Sequence, residues 1–365
     1  MKVVLLAPAS SVHTMRWANG LAGRGLDVHV VSLHHATQAF SPSVILHALP
    51  FWSSAGYIVA ARALRGLLSD VAPDLMNVHY ATGYGLLARL SGFSPLLLSV
   101  WGADVYDFPR KSPVHRRIVR ANLRCATQIA STSHCMARMV RRIYPAARVA
   151  VTPFGVDEEQ FQEIPQVAGQ HCLTVGTVKT LTPKYGVDTL IQAFARLRPR
   201  AGVPALRLEI TGDGPARQEL ESLSRDLGLG SAVVFHGEVS YDRVPSMLAR
   251  LDIFVALSRL DSESFGVAAV EAAMCALPVV VSDVEGLAEV VEDGTTGFVV
   301  PRDDPDAAAQ SLDRLISSAE LRRQMGDAGR ERALKLYTWR KSLDIMIETY
   351  KQTIAMRAQC SSHRV

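Results

Sequence analysis

From end to end the chain alternates apolar, strand-like runs with stretches of helical periodicity, and this restricts it to α/β architectures built on parallel sheets. In the first half the strand-like runs fall near 2–7, 27–32, 44–48, 74–79, 95–100, 127–131 and 147–151, with helical stretches such as 13–24, 56–69, 113–124 and 133–142 between them. The second half repeats the scheme, with strands near 171–177, 205–211, 232–236, 252–256, 278–281 and 297–300. Its helices are expected near 186–198, 215–227, 241–250, 265–276, 305–317 and 320–334. A seam lies at Thr152-Pro153-Phe154-Gly155-Val156-Asp157, where Pro153, Gly155 and Pro165 interrupt the pattern until a new strand opens at His171. The expected organisation is an N-terminal Rossmann-like domain over 1–157 and a C-terminal one over 158–337, facing across a cleft. Residues 338–365 then form a helix packed back on the first domain, with a tail that is loose after Arg357. Ligands of open α/β sheets bind beyond the carboxyl ends of the strands, so the residues that follow strands carry the functional argument.

With 365 residues, 48% of them apolar and 20% charged, each half can bury a core and disorder is disfavoured. No apolar run approaches the roughly 18 residues of a membrane span, and the opening Met1–Leu6 is too short for a signal peptide and reads as a first strand. Five scattered cysteines without a C-x-x-C pair fit reduced thiols in the cytoplasm. Charge divides unevenly: residues 1–157 hold 16 Lys/Arg and 6 Asp/Glu, whereas 158–365 hold 23 and 29. The basic first half suggests an anionic partner. Cations interleave with apolar residues in two of its helices: Arg116, Arg117, Arg120 and Arg124 with Val114, Ile118 and Leu123, then Arg138, Arg141 and Arg142 with Met136, Met139 and Val140. That pattern suits peripheral contact with an anionic membrane, at the inner face of the plasma membrane. Few aromatics interleave with these cations, which ranks nucleic acid last among the partners.

The most informative segment runs from Leu260 to Asp283. A loop with Asp261, Ser262, Glu263, Ser264 and Gly266 opens a helix of small residues, and Pro278 begins the next strand. First-turn amides form an anion site, and Gly266 lets backbone approach a phosphate. Glu263 precedes the helix and Glu271 lies two turns inside it, so two carboxylates can accept hydrogen bonds from sugar hydroxyls. The Glu263/Glu271 pair, the Ser264-Phe265-Gly266 and Ala276–Val280 wording, and the block Glu285–Pro301 together resemble the retaining glycosyltransferases of family 4. The resemblance implies the GT-B fold, a UDP- or GDP-sugar donor, no metal, a contact from Glu263 to the transferred sugar, and one from Glu271 to the nucleotide ribose.

The second domain opens with Val175-Gly176-Thr177-Val178-Lys179, followed by Lys184 before Gly186. A leaving nucleoside diphosphate gains negative charge, so cations held against it favour the transition state. Lys184 matches the family's lysine, and Thr177 stands where relatives of this type carry an Arg, which leaves the first cation to Lys179. The turn Thr211-Gly212-Asp213-Gly214 resembles the family's turn beside the nucleotide, and His236-Gly237 ends another strand as a candidate base pocket.

In the first domain, Asn77–Gly85 and Val100–Pro109 follow strands and offer His79, Tyr80, Tyr84 and Trp101 to sugar rings. The Trp101-Gly102-Ala103-Asp104 wording resembles members acting on bacterial surface polysaccharides. In the family a His or Asp here lies by the reacting carbon, a role that falls to Asp104. The first loop lacks G-x-G-x-x-G, which argues against a nicotinamide dinucleotide. His13 and Arg16 are acceptor-side candidates. No His/Cys ligand cluster stands out, so no metal or other cofactor is expected. The implied reaction moves a sugar, with retention, from the nucleotide to a hydroxyl of a glycan or lipid-linked acceptor. A sugar-nucleotide epimerase of the same fold and a catalytically silent binding subunit stay open as alternatives.

Overall fold

The computed structural model describes residues 1–49, 56–163, 172–197 and 205–362; Pro165 and His171 of the expected seam lie outside them. The chain divides into two compact units, one of 1–153 with 342–365 and one of 154–341.

The first unit holds a seven-stranded sheet: β1 (Lys2–Leu6), β2 (Asp27–Ser32), β3 (Val44–Ala48), β4 (Leu75–His79), β5 (Leu96–Val100), β6 (Gln128–Ser131) and β7 (Val149–Val151). Its order is β3-β2-β1-β4-β5-β6-β7, and every pairing is parallel. Helices cover both faces of such a sheet, so its central strands are mostly apolar rather than alternating. Every residue of β4 and β5 is buried accordingly, and Val4, Leu6, Met76, Val78 and Leu98 join one core cluster.

The second unit repeats the plan with β8 (Cys172–Val178), β9 (Ala205–Thr211), β10 (Val233–Gly237), β11 (Ile253–Ala256), β12 (Val279–Ser282) and β13 (Gly297–Val300). The order is β10-β9-β8-β11-β12-β13, again all parallel. Reversal of strand order beside β1 and beside β8 is the Rossmann-type switch point. Because the strands are parallel, the loops after β8, β9, β10, β11, β12 and β13 all emerge at one edge of this sheet.

The last helix, Trp339–Ser362, is longer than the sequence pattern suggests. The tail expected to be loose after Arg357 is helical to Ser362, since Ala358 and Gln359 are good helix formers that continue the element. In the first unit Asn77 Nδ2 donates to the buried Tyr350 hydroxyl (2.8 Å), Thr353 Oγ1 donates to Gln128 Oε1 (2.8 Å), and Arg24 pairs with Asp344 (2.9 Å). The expected helix at 56–69 is two, Gly56–Val59 and Ala61–Val71. A further helix, Gly83–Ser91, begins directly after the Tyr80–Thr82 loop.

Candidate active site

In the second unit the lysine-bearing loop after β8 is pinned onto the turn after β9. The Lys179 amide donates to Thr211 O, the Leu181 amide to Asp213 O (both 2.9 Å), and the Gly212 amide to Gly237 O (2.8 Å). Gly212 has φ 135°, and a Cβ there would fall on the Lys179 carbonyl oxygen, so only glycine allows the two segments to meet. Gly176 has a different use. It sits within β8, where a Cβ would meet the Leu251 side chain and stand 2.7 Å from Glu209 O, so its smallness serves packing of the sheet. Gly237 (φ 76°) closes β10 beside the Arg217 guanidinium.

This loop brings three predicted residues together. Lys179 Nζ donates to Glu263 Oε2 at 3.1 Å, with the two side chains 12% and 10% exposed. Burial works against the charge of Lys179, but Glu263, Tyr185 and Glu271 outweigh it and hold its pKa above the usual lysine range. Lys184 reaches the same place: the Tyr185 ring centroid lies 4.7 Å from Lys179 Nζ and 5.3 Å from Lys184 Nζ. Two ammonium groups and one carboxylate therefore surround a single phenol.

Gly266, in the left-handed region at φ 79°, is the N-cap of the helix Val267–Met274 and has no side chain with which to cap it. The first-turn amides of Val267 and its neighbours lack helical acceptors, the ordinary condition of a helix start. Glu271 is 5% exposed and accepts a hydrogen bond from the Tyr241 hydroxyl at 2.9 Å. Phe265 turns into the core, edge-on to Phe154 and Tyr337 with centroids 6.0 and 5.3 Å away, and Ser264 is buried beside it. The Phe265 ring thereby anchors the loop. Asp213 accepts from the Gly214 amide (2.7 Å) and Arg217 (2.8 Å), and so stabilises its own turn. His236 Nε2 lies 3.0 Å from Glu209 Oε2, and Arg250 grips both Glu209 oxygens at 2.7 and 2.9 Å.

Several residues of this site have no assignment in the sequence reading. Arg259, four residues before Glu263, donates to Asp188 (2.6 Å), Thr189 (3.0 Å), Pro183 O (3.1 Å) and Asp303. Its own amide donates to Lys184 O at 2.8 Å. Arg302 then ties Arg259 O, Asp261 and Asp283 together. One guanidinium thus links the Lys184 loop to the Glu263 loop, which uses Arg's several donors in fixed geometry. Gly286 packs against the same loop, where a Cβ would fall on Glu263 O and stand 2.6 Å from Phe265 N. The available signal is position: Arg259 and Arg302 each follow a strand by two or three residues.

In the first unit, Asp104 is 3% exposed and its carboxylate is committed to backbone. Oδ2 accepts from the Ala81 amide (2.8 Å), and Oδ1 from the Trp101 and Gly102 amides (3.0 Å each). Burial raises its pKa while these amides act to lower it. That geometry makes Asp104 a positioning residue that joins the loops after β4 and β5. Those loops gather aromatic rings around Trp101: His79 at 4.6 Å, His13 at 5.4 Å and Tyr80 at 5.5 Å between centroids. Tyr80 holds φ 73°, a left-handed conformation that costs energy for a residue with a Cβ. Burial lowers the pKa of His79 to about 3, with His13 adding to the effect, and lowers that of His13 to about 4, with Arg16 adding to it. His79 Nδ1 has no hydrogen-bond partner among the described residues.

The sequence matches two family descriptions, "Glycosyl transferase 4-like" over residues 2–133 and "Glycosyl transferases group 1" over residues 160–332. It is 32% identical over 270 residues to the GDP-mannose-dependent α-(1-6)-phosphatidylinositol monomannoside mannosyltransferase of Mycolicibacterium smegmatis, covering 70% of each chain. Among solved structures it resembles sucrose-phosphate synthase from Thermosynechococcus elongatus (TM-score 0.85, 20% identity, 97% of this chain and 99% of that one). The Anabaena protein HepE in complex with UDP and glucose is also similar (TM-score 0.78, 19% identity, 96% and 100%). With the two parallel sheets of Rossmann type, these matches identify the chain as a family 4 glycosyltransferase of the GT-B fold.

Proposed function

We propose that this glycosyltransferase takes a UDP- or GDP-sugar as donor and transfers the sugar, with retention, to a hydroxyl of a glycan or lipid-linked acceptor in bacterial surface-glycan synthesis. The observation that carries the reading is the convergence of Lys179 and Lys184 on Tyr185, with Glu263 paired to Lys179, in the same unit as the helix start at Val267. Lys184 and Lys179 face the diphosphate, with the Val267 amides as further donors, so charge developing on the leaving group is met by fixed partners. Glu263 accepts from the transferred sugar and Glu271 from the ribose. The charge-compensating role falls to the lysines, and no metal is needed. The leaving phosphate takes the acceptor's proton as the new glycosidic bond forms on the face from which it departs. The acceptor side lies with the rings around Trp101 in the first unit, among them His13 and His79, with Arg16 on the same helix as His13.

Contact with an anionic bilayer through the first unit completes the reading. Val114 (59% exposed) lies beside exposed Arg116, Arg117, Arg120 and Arg124 on the helix Pro113–Cys125. Each cation near such a surface contributes about 1 kcal/mol. No helix among the described residues is long and apolar enough to cross a membrane. Names of relatives point to both nucleotides, GDP-mannose for the mycobacterial enzyme and UDP for HepE. The test is a panel of UDP- and GDP-sugars, scored for nucleotide release with and without polyprenyl-diphosphate sugars. Acceptor-dependent release from one donor is expected. Conversion of the donor to another sugar nucleotide without acceptor, or release from none, overturns the proposal.

A further inference from the structure

We propose that Tyr185 is the positioning residue that makes Lys179 and Lys184 act as a pair on the donor diphosphate; the inference rests on the donor reading above. Its ring centroid stands 4.7 Å from Lys179 Nζ and 5.3 Å from Lys184 Nζ, so one π-face system attracts both ammonium groups. Glu263, at 3.1 Å from Lys179, pairs with that ammonium beside the ring. The electron-rich ring offers Lys184 a partner at the same place.

The backbone is arranged to hold the ring there. Tyr185 belongs to the short 3-10 turn Pro183–Tyr185, begun by Pro183 and ended by Gly186 at φ 61°. A Cβ at Gly186 would fall on Leu257 O, so the turn abuts the end of β11. Arg259 holds it from the other side through Pro183 O (3.1 Å) and through its own amide to Lys184 O (2.8 Å). The phenol makes no hydrogen bond among the described residues, and burial raises its pKa, with Lys179 and Glu263 as its charged neighbours. The ring, rather than a hydroxyl contact within the protein, is therefore what this residue supplies.

The experiment compares wild type with Tyr185→Phe and Tyr185→Leu. It measures UDP and GDP affinity by calorimetry, and kcat and KM with the sugar nucleotide the wild type accepts. Tyr185→Leu is expected to weaken nucleotide binding about 10-fold and to lower kcat as well, the size of a desolvated cation–π contact, whereas Tyr185→Phe retains most of both. In the Leu background Lys184→Ala should cost less than in wild type, because the two residues act together. Tyr185→Met fills similar volume without a π face and supplies the same comparison if the Leu variant melts early. Leu and Met variants that bind and turn over like wild type overturn the inference while leaving the donor reading intact. A Phe variant that falls as far as Leu also overturns it. A wild type that binds neither UDP nor GDP and releases nucleotide from no donor fails the donor reading itself, and this inference with it.

Discussion

Lys179 and Glu263 form an ion pair at 3.1 Å between loops that follow two neighbouring strands of the second unit, one after β8 and the other after β11, both nearly withdrawn from water. Removing one partner strands the other as a buried charge, which costs about 3 kcal/mol, whereas removing both leaves no charge to strand. Lys179→Met and Glu263→Gln should therefore each lower the urea midpoint, and the double variant should recover most of the loss. Turnover should not recover with it. Each single change is expected to cut nucleotide release at least about 10²-fold, the size of one transition-state charge contact, and the double variant stays as slow. Recovery of both quantities together would reduce the pair to a structural strut.

Lys184 separates chemistry from stability more cleanly. Its side chain is half-buried over the Tyr185 ring. Lys184→Ala should cut turnover at least about 10²-fold and shift Tm little. Near-normal rates in Lys184→Ala and Glu263→Ala alike would refute the assignment of the site.

How much of this was legible beforehand follows from what a strand end can and cannot encode. Apolar runs fixed the strands to within one or two residues, because a parallel sheet covered on both faces is built mainly from apolar side chains, and its few polar ones, such as Ser99 and Asn77, pair with each other. Glu263 and Glu271 carry a fixed spacing along the chain, and Lys184 a fixed place before Gly186. Arg259 and Arg302 carry no such signal, since each works through partners far away in sequence: Arg259 meets Asp188, 71 residues distant, and Arg302 meets Asp261, 41 residues distant. Phe265 and Asp104 show the converse. Motif position marked both for substrate, and the structure gives one to an aromatic core and the other to three backbone amides. A residue's type and place near a strand end do not reveal which way its side chain turns.

Acid should destabilise the first unit through its buried imidazoles. Folded His79 and His13 hold pKa values of about 3 and about 4, against 6.5 when exposed. Above pH 6.5 both states are neutral and the shift has no effect. As pH falls below 6.5 the unfolded chain takes up protons that the folded one refuses, so stability drops with a limiting slope of about 1.4 kcal/mol per pH unit for each proton. The loss continues until pH reaches the folded values. His79→Phe, which keeps a ring against Trp101, should flatten the dependence of stability between pH 6 and 4 relative to wild type in denaturant titrations. An unchanged slope would mean that these rings titrate normally in the folded protein.

Glycine at 286 should be indispensable for a reason outside its own conformation. It lies in the first turn of the helix Glu285–Val290, where Ala would ordinarily help, and it carries no positive φ. A Cβ there, however, falls on Glu263 O and presses on the Ser264–Phe265 peptide, which are backbone atoms that cannot rotate aside. Gly286→Ala must therefore push the Glu263 loop off its helix, at a cost of about 2–4 kcal/mol and with a loss of turnover beyond what the stability change explains. Gly66→Ala is the matched control. That glycine sits in the helix Ala61–Val71 with nothing within 4 Å of its would-be Cβ, so the substitution should stabilise by about 0.5–1 kcal/mol. Chemical denaturation and donor turnover of the two variants, measured side by side, check both statements. A Gly286→Ala protein as stable and active as Gly66→Ala would show that the Glu263 loop has slack, and that its close seat on this helix does not hold the carboxylate in place.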